Sequence, residues 1–133
     1  MTDRLRTIVD RLRIRPHQRI LEIGCGHGVA ASYIGALLQT GCLTAIDRSA
    51  KMIAAARRRN ADLVAAGRAE FVVADFESWE PGASRFDVIL AIRVAIFHRD
   101  RETAVARASR WLNPSGRIVV EYDTPPGALR RGS

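Results

Sequence analysis

The sequence has no uninterrupted run of about 18 apolar residues, so it holds no candidate membrane-spanning helix. Its first residues, Met1-Thr2-Asp3-Arg4-Leu5-Arg6, alternate charged and apolar side chains and lack the apolar core of a secretory signal. The expected location is cytoplasmic. Lysine is almost missing: of the 21 basic residues, only Lys51 is not arginine. Cysteine is scarce as well, with only Cys25 and Cys42. Their strand patterns place them at opposite ends of neighbouring parallel strands, about 17 Å apart. A disulfide needs Cα atoms within about 7 Å, so both are expected as free thiols. His17, His27 and His98 show no ligand spacing with carboxylates or cysteines, and no metal site is expected. No internal repeat or low-complexity segment is present.

What remains is a chain of 133 residues, 47% hydrophobic, with a net charge of +7. That suits one domain with enough apolar side chains for a core. Residues 1–123 are expected to form it, with 124–133 as a flexible tail. The charges are spread out apart from Arg57-Arg58-Arg59, which fits either a solvated helix face or a nucleic-acid contact.

Apolar periodicity predicts a helix over 3–13, with Pro16 beyond it. Arg19 to Ile23 is a short strand, followed by the glycine-rich stretch Gly24 to Gly28 and a helix from Val29 to Gln39. Cys42 to Asp47 is a second strand. Ser49 caps a long helix to about Ala66, with Gly67 as its stop. Glu70 to Asp75 is a third strand, and Glu77 to Arg85, with Pro81 and Gly82, is a loop. Phe86 to Ile92 is a fourth strand. Asp100 is placed to cap a helix from Arg101 to Leu112, Asn113 to Gly116 is a turn, and Arg117 to Tyr122 is a fifth strand.

Strands that are continuous apolar runs, alternating with helices, belong to a parallel sheet covered on both faces. Right-handed crossovers then give a doubly wound α/β arrangement. The third connection lacks a helix, so one face is expected to be thinly covered there.

The chemistry concentrates at Leu21-Glu22-Ile23-Gly24-Cys25-Gly26-His27-Gly28, where a strand ends, glycines alternate with other residues and a helix begins. Glycine serves where backbone turns tightly or must approach a ligand without a Cβ. In open α/β sheets, ligands bind at such carboxyl ends. A dinucleotide fingerprint needs its third glycine one residue later, where Val29 stands. Asp47 ends the next strand 23 residues after Gly24, near the spacing at which an acid accepts from ribose hydroxyls.

These segments resemble the class I S-adenosylmethionine-dependent methyltransferases over residues 18–123. LEIGCGHG resembles their first motif, AIDRSAKMI the second and VVADFES the third-strand motif. FDVILAIRVAIFH resembles the fourth strand and its exit, and LNPSGRIVVEY the turn and fifth strand. The resemblance implies a Rossmann-like sheet of strand order 3-2-1-4-5 and S-adenosyl-L-methionine as cofactor. It implies that Gly24, Cys25 and Gly26 pass close to the methionine and ribose parts, and that Glu22 helps hold the amino group. Asp47 accepts both ribose hydroxyls, and Arg48 and Met52 lie near the adenine. Asp75 and the Phe76 N–H meet the adenine ring, and Ala91 and Ile92 line the methionine end. His98 is the candidate general base. Packing alternatives stand beside some of these: Gly28 for close packing, Asp75 as a turn cap, Met52 as core, His98 as a surface histidine and His27 as a local backbone contact.

The sequence also departs from the family's pattern. Little material precedes the first strand or follows the fifth, so the usual terminal antiparallel hairpin is expected to be missing and the fifth strand to be an open edge. A homodimer through that edge is one expectation; a fragment is another. The fourth-strand exit lacks the Asn/Asp-Pro-Pro-Tyr and Pro-Cys sequences of base-modifying enzymes. The expected function is methyl transfer to a small-molecule acceptor. The alternatives are a non-catalytic cofactor-binding or partner-dependent module, or an RNA or DNA methyltransferase, which only the charge favours.

Overall fold

The five apolar runs form one sheet in the order β3-β2-β1-β4-β5, and among the described residues every pairing is parallel. The computed structural model describes residues 3–122. The strands are β1 (Arg19–Ile23), β2 (Cys42–Asp47), β3 (Ala69–Val73), β4 (Phe86–Ile92) and β5 (Leu112–Glu121). The helices are α1 (Arg4–Arg11), α2 (Val29–Gly35), α3 (Ala50–Arg59), α4 (Ala61–Ala65), α5 (Ala95–Arg99) and α6 (Arg101–Ser109). This is the doubly wound arrangement and strand order expected. The expected tail, 124–133, lies outside the described residues. No helix among them is long and apolar enough to cross a membrane.

Strand alternation sorts the core into two layers. Ile20, Val88 and Leu90 join the layer under α1, α2 and α3, while Leu21, Ile23, Ile89 and Ala91 join the layer under α6. Glu22 shares a side with Ile20 by the same period of two. Register then sets Ile23, Ile46 and Ala91 in one row, so the exits of β1, β2 and β4 open at one level.

Several boundaries differ from expectation, each with a local cause. α2 ends at Gly35 because the N–H groups of Gln39, Thr40 and Gly41 turn to the Pro16 carbonyl (2.9, 3.2 and 2.9 Å). Gly41 must be glycine, since a Cβ there would collide with the Gln18 carbonyl. The long helix divides at Asn60, whose buried side-chain amide donates to Gly28 O (3.1 Å) and Ala56 O (3.0 Å). α5 was not expected; a helix of five residues is too short for its period to register. Asp100 makes no side-chain cap to α6.

β5 starts at Leu112, and the expected turn is an excursion inside it. Phe86 pairs with Leu112 and Val88 with Arg117, leaving Asp87 opposite the detour. The Asp87 carboxylate ties it down, accepting from Asn113 Nδ2 (3.0 Å) and from Arg19 N–H (2.8 Å). Nor is the sheet thinly covered at the third connection. Phe76 and Trp79 from that loop pack tilted or edge-on against Phe97 and Trp111, with ring centroids 5.0–5.5 Å apart. Arg107 pins the loop by donating to Phe76 O (2.9 Å) and Trp79 O (2.5 Å).

Candidate cofactor site at the strand exits

The β1–α2 loop is held open against β2. Gly24 N–H and Cys25 N–H both donate to Ile46 O (2.8 and 3.0 Å). Asp47 holds the next residue: its Oδ2 accepts from Gly26 N–H (2.9 Å) and its Oδ1 from Ser49 N–H (2.9 Å). Each carboxylate oxygen keeps a second lone pair. The strand-end acid therefore shapes the loop and can still accept from a ligand.

Two glycines here are required by geometry. Gly24 has φ +73, and a Cβ on it would lie 2.7 Å from Val94 Cγ2. Gly28 has φ +87, and a Cβ would lie 2.7 Å from Asn60 Nδ2 and 3.0 Å from the Ala56 backbone. Gly28 thus serves the close approach of α2 to α3. The space over Gly26 is open, with no atom within 4 Å of its would-be Cβ.

Two cavities flank this loop. The first, of about 340 Å³, is lined by Gly24, Asp47, Arg48, Asp75, Phe76 and Glu77 on one side and by Arg93, Val94, Ala95, Ile96 and Arg99 on the other. The second, of about 330 Å³, is lined by Leu5, Glu22, Gly24, Cys25, Gly26, His27, Val29, Ala30, Ile92 and Arg93. Gly24 and Arg93 line both.

Glu22 is the electrostatic oddity of the second cavity. It is 3% exposed, and its Oε1 has no hydrogen-bond partner. Burial, and then the nearby Asp47 charge, push its carboxyl up to about 8. Burial also pushes the Cys25 thiol up, with Glu22 and Asp47 adding to the effect, so Cys25 stays an uncharged thiol. Both cysteines are free.

The structure thus brings Glu22, Gly24, Cys25, Gly26, Asp47, Arg48, Asp75, Phe76 and Ile92 to the cavity walls. Asp75 also builds its turn, accepting from Glu77 N–H (2.9 Å). Three expected site residues lie elsewhere. Met52 is half-buried on α3 and lines neither cavity. Ala91 is buried in the α6-side core. His98 departs furthest from its expected role. α5 turns Ala95, Ile96 and Arg99 to the cavity, while the exposed His98 ring stacks on Tyr122 at 4.3 Å and 15°. Sequence reasoning missed Arg93, Val94 and Arg99; the only signal was that Arg93 and Val94 follow the fourth strand directly, and Arg99 had none. The His27 carbonyl accepts from Arg59 Nε (3.2 Å), a contact distant in sequence that does not use the imidazole.

These residues fit an S-adenosylmethionine-type cofactor: a loop with open space above it, acceptors at the ends of β2 and β3, and a buried carboxyl with an unused oxygen.

Comparison with known proteins points the same way. The family model of the methyltransferase domain matches residues 20–116. An O-methyltransferase of Pyrenophora dematioidea is 33% identical, over 85% of this chain and 42% of its own length. Phosphoethanolamine N-methyltransferase 1 of Triticum aestivum is 31% identical, over 90% of this chain and 24% of its own. The plantazolicin methyltransferase BpumL, solved in complex with SAH (S-adenosylhomocysteine), superposes with a TM-score of 0.69 at 25% identity, covering 87% of this chain and 44% of that one. The chain spans less than half the length of each of these three.

Proposed function

This chain belongs to the methyltransferase domain family, and from that premise we propose that it binds S-adenosylmethionine along the glycine loop and transfers its methyl group to a small-molecule acceptor. The observation that carries the reading is the unpartnered oxygen of Glu22, a buried residue that lines a cavity, one loop away from an Asp47 carboxylate that retains free lone pairs. When bound, the cofactor supplies an electrophilic methyl group on a sulfonium. The chain's own residues bind and orient it: Asp47 accepts from the ribose hydroxyls, Asp75 from the adenine amine, and Glu22 from the ammonium group. Val94 and Ile96, which line the first cavity, would supply apolar surface that keeps water from the bound cofactor. With His98 turned away, the proton lost by the acceptor goes to solvent or to a group brought by the acceptor itself.

The arginine run speaks against a nucleic-acid substrate. Arg57 donates to Phe71 O (2.7 Å) and Arg59 to His27 O, so two of its three members serve the fold. The printed names of the two curated relatives, an O-methyltransferase and a phosphoethanolamine N-methyltransferase, favour a small acceptor. A cytoplasmic location and a homodimer through the β5 edge belong to the same proposal. Among the described residues β5 pairs only with β4. Light scattering should then give twice the chain mass.

Calorimetry tests the cofactor. S-adenosylhomocysteine should bind, and NAD should not, because the third glycine of the dinucleotide pattern is absent. A larger thermal shift with NAD overturns the reading. Transfer of labelled methyl to pooled metabolites, with RNA as the rival substrate, tests the acceptor class.

A further inference from the structure

The first cavity divides by charge. Its acids, Asp47, Asp75 and Glu77, all come from the exits of β2 and β3, with Arg48 next to Asp47 in the chain. The opposite wall, from the exit of β4 to the end of α5, brings no acid. It brings Val94 and Ile96, with Arg93 before them and Arg99 after them. Carboxylates on one wall suit the hydroxyl and amine donors of a positively charged cofactor. A cationic wall suits neither its donors nor its charge.

Helix geometry puts Arg99 on that wall. Phe97, 1% exposed, fixes the rotation of α5 against the core. Residues three and four apart share a helix face, so Arg99 falls beside Ile96 and Ala95, and all three line the cavity. His98, one residue earlier, stacks on Tyr122 instead. Asp100 and Glu102 follow Arg99 closely in sequence. Even so, among the described residues Arg99 makes no hydrogen bond, ion pair or ring contact. Its guanidinium thus supplies no contact that the fold uses, at the mouth of a cavity whose carboxylates stand across from it.

We infer that the methyl acceptor is an anion, a carboxylate or phosphate compound, whose charged group is anchored by Arg99 while a separate atom of it takes the methyl. The inference rests on the methyl-transfer reading and names its acceptor class. A guanidinium fork matches either anion with two parallel hydrogen bonds. Anchoring at one end turns the other end toward the apolar surface of Val94 and Ile96, so binding at a remote charge orients the reacting atom. The acceptor atom bonds the methyl carbon, the C–S bond breaks with its electrons to sulfur, and the acceptor's proton leaves to solvent or to a group of the acceptor itself.

The test uses a metabolite pool split on an anion exchanger into retained and unretained fractions, each offered with labelled S-adenosylmethionine. Label should pass to the retained fraction alone, and the labelled product should still bind the exchanger. Arg99→Gln should lower the transfer rate at limiting acceptor by about tenfold, and Arg99→Lys should recover part of it. S-adenosylhomocysteine affinity by calorimetry should change less than about twofold in both variants. Inorganic phosphate and acetate, compared at equal ionic strength, should compete with the acceptor, and the stronger inhibitor identifies the anion. Label in the unretained fraction overturns this inference and leaves methyl transfer standing. So does a product that no longer binds the exchanger, because the anion itself was then the acceptor. Transfer unchanged in Arg99→Gln, or inhibition by neither anion, also overturns it. A matching loss of S-adenosylhomocysteine affinity in Arg99→Gln overturns it by assigning Arg99 to the cofactor. No label in either fraction sinks both this inference and the reading it rests on.

Discussion

On the β1–β2 side of the site the backbone is tied at four points: Gly24 and Cys25 to Ile46 O, and Gly26 and Ser49 to Asp47. On the β4–α5 side the wall is side chains, Val94 at the N-cap and Ile96 and Arg99 on a five-residue helix with no side-chain cap. The first side is a preorganised cradle whose shape is set by main-chain hydrogen bonds. The second depends on packing of Phe97 against Phe76, and on a backbone bond to β5. The cradle should therefore respond to mutation sharply and as a unit, and the opposite wall locally and weakly.

The largest effect is expected at Gly28. Valine there meets Asn60 and the Ala56 backbone at 2.7–3.0 Å while forced to a positive φ. Gly28→Val should lose roughly 3 kcal/mol of stability by denaturant unfolding. A loss below about 0.5 kcal/mol would show that α2 and α3 separate easily and that the cradle is softer than described.

Asp47→Ala comes next. It removes the acceptor of the Gly26 and Ser49 N–H groups as well as the proposed ribose partner. S-adenosylhomocysteine binding should weaken by about 1.5–3 kcal/mol. Gly24 and Cys25, tied to Ile46 instead, should keep their amide-exchange protection. Full affinity in a folded variant sinks the ribose assignment.

Glu22 gives a pH test of the cradle. Its folded carboxyl titrates near 8 rather than near 4.5, so the folded state holds a proton that the unfolded chain has released. Cofactor-free stability should fall as pH rises from about 4.5 to 8, and level off above that. Glu22→Gln removes this dependence and should be the more stable protein at pH 9 by about 1–2 kcal/mol, while losing cofactor affinity. Parallel stability-against-pH curves for the two proteins would falsify the burial argument.

The smallest effect is expected on the opposite wall. His98→Ala removes a ring stacked on Tyr122, outside both cavities. Cofactor affinity and methyl-transfer rate should change less than twofold, about 0.4 kcal/mol. A large drop in the rate alone, at unchanged cofactor affinity, would return His98 to the role of base and show that the wall rearranges around substrate.

The cradle was legible in the sequence because its signals are local. A strand, a glycine run and a strand-end acid sit at fixed spacings, and right-handed crossovers give a doubly wound sheet once strands alternate with helices, while its strand order came from the family resemblance. Gly24, Gly26 and Asp47 were read that way and Glu22 through the family resemblance, and all four line the two cavities. Gly28 was legible as a packing glycine, although its partners, Asn60 and Ala56, were not.

The opposite wall was decided by tertiary structure. Five residues of α5 leave too little period to read, and which of them face the cavity depends on where Phe97 finds its place in the core. His98 was assigned through the resemblance of the strand exit to the family, yet its ring stacks on Tyr122, the residue after β5. Arg93 was passed over because its left-handed backbone is held by Glu121, a residue of the neighbouring strand. Chain-local chemistry thus determined the sheet, the glycine loop and its acids, since hydrogen bonding and chirality act over a few residues. Which side chains complete the site across from them was set only when β4 and β5 paired, because side-chain direction there is fixed by contacts distant in sequence.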